Sequence, residues 1–218
     1  MSNVTNYKIT ILTSASTWMN KYIPELVQRL KPYKVQWIHE ATELCNGDIC
    51  FIISFDKILK KEYLNKHQHN IVVHESNLPK GKGMSPLTWQ ILEGENRIPI
   101  TLCEADEQVD AGKIYIQDYL IFRGDELIDE LRHKQAIKTC DMCLDFIRSY
   151  PKIIDVGREQ IGESTFYRRR YPTDSKLDID KTIREQFNLL RIVDNEKYPA
   201  FFEIADHRYV LKIEKETK

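Results

Sequence analysis

The sequence predicts an α/β fold: a Rossmann-like, mostly parallel sheet with helices on both faces, followed by a small α+β appendage that ends in a β-hairpin. Three observations lead there. From Tyr7 to His74, short apolar runs rich in β-branched residues alternate with stretches of helical spacing, the order expected of parallel strands joined by right-handed crossover helices. One run, Ile49 to Ser54, is apolar on both parities, as a strand covered on two faces must be. A length of 218 residues, 42% of them hydrophobic, suffices to bury one substantial core.

Tyr7 to Leu12 (YKITIL) reads as a buried strand and Thr13 to Thr17 as a polar turn. Trp18, Ile23, Leu26, Val27 and Leu30 then recur at helical intervals until Pro32 stops the helix. Val35 to Ile38 gives a second strand, Cys45 to Asp48 a turn, and Ile49 to Ser54 the central strand. The charged stretch Asp56 to His69 carries Ile58, Leu59, Tyr63 and Leu64 at helical spacing, and Asn70 to His74 (NIVVH) is the next strand. His74 thus ends a strand, where open α/β sheets bind their ligands.

A loop with Pro79, Gly81 and Gly83 leads into a short helix from Pro86 to about Glu93. Ile98 to Leu102 and Ile114 to Tyr119 are strands on either side of the acidic loop Glu104 to Gly112. Glu126 to Tyr150 is the longest helix, with Leu127, Leu131, Ile137, Cys140, Leu144 and Ile147 on one side. A boundary after Pro151 divides the chain into a catalytic domain, 1–150, and an appendage, 151–218. In the appendage, Thr165 to Asp180 reads as a covering loop, Asp180 to Arg191 as a helix capped by its aspartate, and Ala200 to Ile204 with Arg208 to Ile213 as a hairpin.

Composition excludes several partners. The 32 basic and 33 acidic side chains leave a net charge of -1, so bulk charge offers no broad groove for nucleic acid. With no apolar run of about 18 residues and a polar start, Met1 to Lys8, neither a membrane span nor a secretory signal is expected, and the location read from this is cytoplasmic. The five cysteines, irregularly spaced, suit reduced core thiols. Cys140-x-x-Cys143 lies alone inside the long helix and reads as packing, so no metal is expected.

Residues 70 to 83 read NIVVHESNLPKGKG, followed by MSPLTWQILEGE and then by PITLCEADEQVDAGKIYIQ. These stretches resemble the folate-dependent formyltransferases, whose hallmark is a strand ending in His-x-Ser-x-Leu-Pro, a glycine-containing loop and helix, and later an acidic loop ending in Val-Asp-x-Gly. His74, Ser76, Leu78, Pro79, Val109, Asp110 and Gly112 carry the match. It covers roughly residues 7 to 120, while Arg191 to Phe202 looks like the short C-terminal segment of the sugar N-formyltransferase branch.

The resemblance implies transfer of a formyl group from N10-formyltetrahydrofolate, a co-substrate, to a primary amine. Attack of the amine on the formyl carbon makes a tetrahedral oxyanion, and protons must leave the amine and reach the departing folate nitrogen. Histidine, whose charge changes near neutral pH, suits that traffic. By resemblance His74 and Asp110 are the acid/base pair, the carboxylate orienting the imidazole, and Gly112 permits the tight loop beside them.

One position departs from the family. Relatives have Asn-x-His, the asparagine amide holding the formyl oxygen, and here Val72 stands in its place. Loss of one oxyanion donor costs on the order of 3 kcal/mol. Asn70 lies roughly 6.6 Å farther back along the strand, so Ser76, Asn77 or a backbone N–H after His74 is the expected substitute.

The family clamps its pterin with backbone groups, which map onto Lys57, Ile58 and Leu59 and onto Asp106, Glu107, Gln108 and Val109. For the acceptor, Lys80, Gly81 and Lys82 of the PKGKG loop, together with Ser76, Asn77, Arg168 and Arg169, are candidates to meet a diphosphate. Tyr167 and Tyr171 are candidates to stack a base.

The expected protein is therefore a homodimeric formyltransferase acting on a UDP- or dTDP-linked amino-deoxysugar, 4-amino before 3-amino. Its product would feed a surface polysaccharide such as a lipopolysaccharide O-antigen. Alternatives are methionyl-tRNA or a purine ribonucleotide as acceptor, hydrolysis of the donor by water, and a binding module for folate or sugar nucleotide that has lost catalysis.

Overall fold

Strands β1 (Lys8–Leu12), β2 (Lys34–Ile38), β3 (Gly47–Ile52), β4 (His67–His74), β6 (Arg97–Glu104) and β7 (Ile114–Ile121) form one sheet in the order β2-β1-β3-β4-β6-β7. The computed structural model describes residues 6–216. The first five residues, part of the polar start, lie outside it, as do the last two. The first four strands run parallel, whereas β6 is antiparallel to β4 and β7 to β6. The sheet is Rossmann-like and mostly parallel, with β3 in its interior as the two-sided apolar pattern requires.

Alternation along the strands divides the core. Ile9, Ile11, Ile49, Phe51 and Ile71 join a large cluster with α1 (Ile23–Arg29) and α4 (Ile128–Ser149). Phe51 meets Phe146 of α4 edge-on at 6.1 Å, and loss of either ring costs about 3–5 kcal/mol. On the opposite face Leu12, Ile38, Leu44, Cys50 and Leu59 make a smaller cluster, joined by Tyr63 and Leu64 of the one-turn helix α2 (Lys61–Leu64).

Two expected helices shrink. Of Asp56 to His69 only α2 is helical, and β4 begins three residues before the predicted Asn70. Leu59 is drawn into the small cluster while Ile58 stays 71% exposed, so the apolar spacing there marks a cavity-lining loop. The start of the strand buries polar side chains: His67 Nε2 meets Thr10 Oγ1 at 2.8 Å, and Asn70 Nδ2 donates to the Leu64 carbonyl at 2.9 Å, each offsetting part of the cost of burial. Of Asp180 to Arg191 only α6 (Phe187–Ile192) is helical. Gln186 donates to the carbonyls of Asp178 and Lys181 and accepts the Asp178 N–H, side-chain bonds that compete with a helical ladder.

Beyond Pro151 the chain passes through α5 (Lys152–Asp155) and returns to the sheet. Arg158 bridges Ile114, and the two-residue strands β5 (Lys82–Gly83) and β8 (Phe166–Tyr167) pair in parallel. The hairpin β9 (Ala200–Ile204) and β10 (His207–Leu211) turns through Ala205 and Asp206, both at positive φ, the geometry that matches strand twist. No helix among the described residues is long and apolar enough to cross a membrane.

A buried ion pair joins the tail to the start of α4. Arg191, fully buried, places Nη2 3.6 Å from Glu126 Oε2, and Lys134 Nζ lies 2.7 Å from Glu126 Oε1. Burial pushes the Glu126 carboxyl up, but Lys134 and the N–H groups of Arg123 and Gly124 outweigh it and hold the group down at about 2. A depressed carboxylate stabilises the fold above its unfolded value and stops doing so as pH falls through the folded one. Glu126→Gln is therefore expected to cost about 3 kcal/mol at neutral pH, with the difference from wild type closing between pH 4.5 and about 2 in urea unfolding at stepped pH.

Candidate active site

His74 ends β4 opposite Thr101 of β6 and is only 7% exposed. The turn after it is pinned: the Ser76 N–H donates to the His74 carbonyl at 2.9 Å, and Thr101 Oγ1 donates to the Ser76 carbonyl at 2.7 Å. Leu78 buries itself against Cys103 and Ile114. The Ser-x-Leu-Pro residues thus shape the turn that presents the histidine.

Its imidazole is held from two sides. Nε2 donates to the Gly81 carbonyl at 2.8 Å, and Nδ1 faces Asp110 Oδ2 at 3.6 Å. The same carboxylate oxygen accepts the Gly83 N–H at 2.9 Å. Asp110 stands at φ 51, in the left-handed region, where aspartate is among the few residues tolerated. Gln160 Nε2 fixes the turn by donating to the carbonyls of Asp110 and Gly112. A side chain at Gly112 would collide with the Glu104 carbonyl, so the loop closes only on glycine. With Nε2–H committed to Gly81, Nδ1 is the ring nitrogen left facing the carboxylate.

Two cavities meet here. The first, about 350 Å³, is lined by His74, Asp110, Lys57, Ile58, Leu59, Asp106 and Val109, with Ile52, Leu64 and Val72 as an apolar wall. Glu107 and Gln108 are not in its lining; Glu107 pairs with Lys61 on the surface. Among the described residues the backbone N–H groups of Lys57, Ile58 and Leu59 donate to no protein acceptor, a free polar edge against an apolar wall. The second cavity, about 360 Å³, shares Trp18, Asp56, Glu75, Met84, Ser85 and Gln135 with the first and adds Arg132, Arg169, Arg170 and Tyr198.

The acceptor candidates separate. Arg169 lines the second cavity, but Arg168 is committed to Asp174 and lies 4.7 Å above the Trp89 ring. That pairing holds Asp174 down at about 2. Tyr167 stacks on Trp89 and donates to Glu93, and Tyr171 is exposed. Ser76 and Lys82 are buried outside both cavities, Lys80 and Asn77 face outward, and the Asn77 amide oxygen accepts from Gln117. Neither Ser76 nor Asn77 reaches the place left by Val72, which packs with Leu78 and Cys103. The hydroxyl and amide side chains on the cavity wall are Ser54, Ser85, Gln135 and Thr139. Cys140 and Cys143 are buried in α4, and burial pushes the Cys140 thiol up to about 12.

Sequence reasoning missed Glu75 and Gln135. Both carried a signal: Glu75 adjoins the histidine, and Gln135 and Thr139 fall four and eight residues after the buried Leu131, polar residues on the sheet-facing stripe of α4.

The sequence model described as formyl transferase matches residues 18–139, more than half the chain, spanning the histidine and the aspartate. The chain belongs to the formyl transferase family. Methionyl-tRNA formyltransferase of Thermodesulfovibrio yellowstonii is 28% identical over 147 residues, 67% of this chain and 48% of that protein. The Streptococcus suis (strain 05ZYH33) protein of that name is 28% identical over 167 residues, 74% and 53%. The chain spans about half the length of the curated relatives it matches. Among solved structures, methionyl-tRNA formyltransferase from Clostridium thermocellum superposes with a TM-score of 0.82 at 24% identity, covering 96% of this chain and 93% of the other. A 4-N formyltransferase from Francisella tularensis gives 0.73 at 17% identity, covering 97% and 99%. These two establish the formyltransferase fold.

The contact between the histidine loop and β8 sets a test. A Cβ on Gly83, at φ +96, would strike the Tyr167 carbonyl, whereas one on Gly94, at φ +97, meets nothing within 4 Å. Gly94→Ala is expected to cost only the ~1–2 kcal/mol of left-handed backbone, and Gly83→Ala about 2 kcal/mol more, read from urea midpoints of the two variants.

Proposed function

We propose that the protein transfers the formyl group of N10-formyltetrahydrofolate to the primary amine of a nucleotide-linked amino-deoxysugar, in the cytosol, as part of surface polysaccharide synthesis. The observation that carries this reading is the His74–Asp110 pair at the edge of a cavity that opens into a second, arginine-lined one. The first cavity fits the donor: the free N–H groups of Lys57, Ile58 and Leu59 suit the polar edge of a pterin, and Ile52, Leu64 and Val72 suit its faces. The donor supplies an activated formyl carbon. Arg169 and Arg170 in the second cavity suit phosphate oxygens.

His74 Nδ1 takes the proton that the attacking amine sheds and returns it toward the leaving nitrogen, while Asp110 steadies the imidazolium. We read residues 1–150 as the catalytic domain and 151–218 as an appendage that supplies the acceptor side. Ile204, Tyr209 and Val210, exposed on the hairpin, favour a dimer through the C-terminal segment.

The names of the sequence relatives favour a second reading, with methionyl-tRNA as acceptor. Mass spectrometry of UDP- and dTDP-linked 4-amino and 3-amino sugars, and of charged initiator tRNA, each incubated with protein and formyl donor, separates the two. A gain of one formyl group on a sugar nucleotide is expected; a gain on tRNA alone supports the second reading. His74→Ala should lower the rate at least about 10³-fold and Asp110→Asn about 10²-fold or more, by initial rates of the same assay.

A further inference from the structure

Glu75 stands where the two cavities meet and forms part of the wall of both. Its backbone carbonyl accepts from Gln90 Nε2 at 2.6 Å, and its carboxylate Oε1 accepts from Gln135 Nε2 at 2.7 Å. The other oxygen, Oε2, accepts no hydrogen bond among the described residues. Each of the other acids on these walls holds a partner: Asp110 faces Gly83 and His74, Asp56 accepts from Ser14, Asp106 accepts the Glu107 N–H, and Asp194 pairs with Arg132. Arg170, by contrast, has a buried Nε with no partner. The junction therefore offers a carboxylate oxygen without a partner on the residue after His74, and the second cavity adds the guanidinium groups of Arg169 and Arg170.

We propose that Glu75 receives the acceptor's ammonium group: Oε2 takes one proton from R–NH3+ and holds the resulting amine at the mouth of the first cavity. This rests on the formyltransferase reading above. The amine lone pair then forms the new N–C bond to the formyl carbon, and the carbon's bond to the folate nitrogen breaks. Its second proton leaves through His74 to that nitrogen. The balance is R–NH3+ and N10-formyltetrahydrofolate giving R–NHCHO, tetrahydrofolate and one proton. The acceptor class that fits is a primary alkylammonium carrying an anionic group, the cation at Glu75 and the anion at Arg169 and Arg170.

Burial pushes the Glu75 carboxyl up, with the neighbouring His74 pulling it partly back. A carboxylate so raised is a better proton acceptor than an ordinary surface one. The asparagine whose place Val72 takes is a neutral group, and Glu75 is not a substitute for it: a carboxylate repels an oxyanion but attracts an ammonium.

Methylamine serves as a probe independent of which acceptor is native. With saturating formyl donor, N-methylformamide production is compared in the wild type, Glu75→Gln and Glu75→Asp over pH 6–9, with donor affinity and melting temperature as controls for folding. In Glu75→Gln, kcat/KM for methylamine is expected to fall at least tenfold with donor affinity within twofold. The part of the wild type's loss of rate toward acid that comes from protonation of Glu75 should be absent from that variant, and Glu75→Asp should recover part of the rate. Equal kcat/KM within twofold, an unchanged acid limb, or no N-methylformamide from the wild type overturns the proposal. Turnover of methylamine that depends on Glu75, without formylation of any sugar nucleotide, would overturn the sugar acceptor and leave the role of Glu75 standing.

Discussion

The carboxylate of Asp110 couples three separate stretches of chain at one point. It faces the His74 imidazole at the end of β4, accepts the Gly83 N–H from the loop that follows, and sits in a left-handed turn that Gln160, from beyond Pro151, holds by its backbone. Most of the local architecture serves that convergence. Glu104 ties the end of β6 to β4 by accepting from the Asn70 N–H and His69, and it also accepts the Tyr115 hydroxyl. The Ala105 N–H donates to the Asn70 carbonyl, so the acidic loop leaves the sheet from a fixed point. A short polar network, buried on both sides, is rigid in a way that a surface pair is not.

Much of the sheet was legible because strands alternate and central strands do not. Ile49 to Ser54 announced an interior strand, and His74 was placed at a strand end as the last residue of the run NIVVH. Where the reading failed, apolar spacing served something other than a core helix. Ile58 and Leu59 share a helical spacing but part company, one exposed on the cavity wall and one buried in the small cluster. Before Phe187, the side chains of Asp178, Thr182, Glu185 and Gln186 satisfy the local backbone, and hydropathy carries no trace of such bonds.

At the site, the resemblance pointed to His74 and Asp110, which the structure brings within 3.6 Å of each other, while residues that depend on position alone left no such mark. Arg168 and Arg169 are identical in chemistry and adjacent in sequence, yet one is spent on Asp174 and Trp89 while the other lines a cavity. Strand alternation distinguishes them only once β8 has been found, and a strand of two residues leaves no period to read.

The pairing of β5 with β8 has a consequence for how such a protein can change. The carbonyl that holds the imidazole and the arginines of the second cavity lie on facing segments, joined by the Lys82 and Met84 N–H groups to the Thr165 and Tyr167 carbonyls. The segment after residue 150 is therefore not an interchangeable lid, because it shares a backbone ladder with the loop that holds His74. A sequence that keeps this ladder must keep a backbone path within contact of Gly83, which leaves the side chains and the residues after Tyr167 as the places where change costs least.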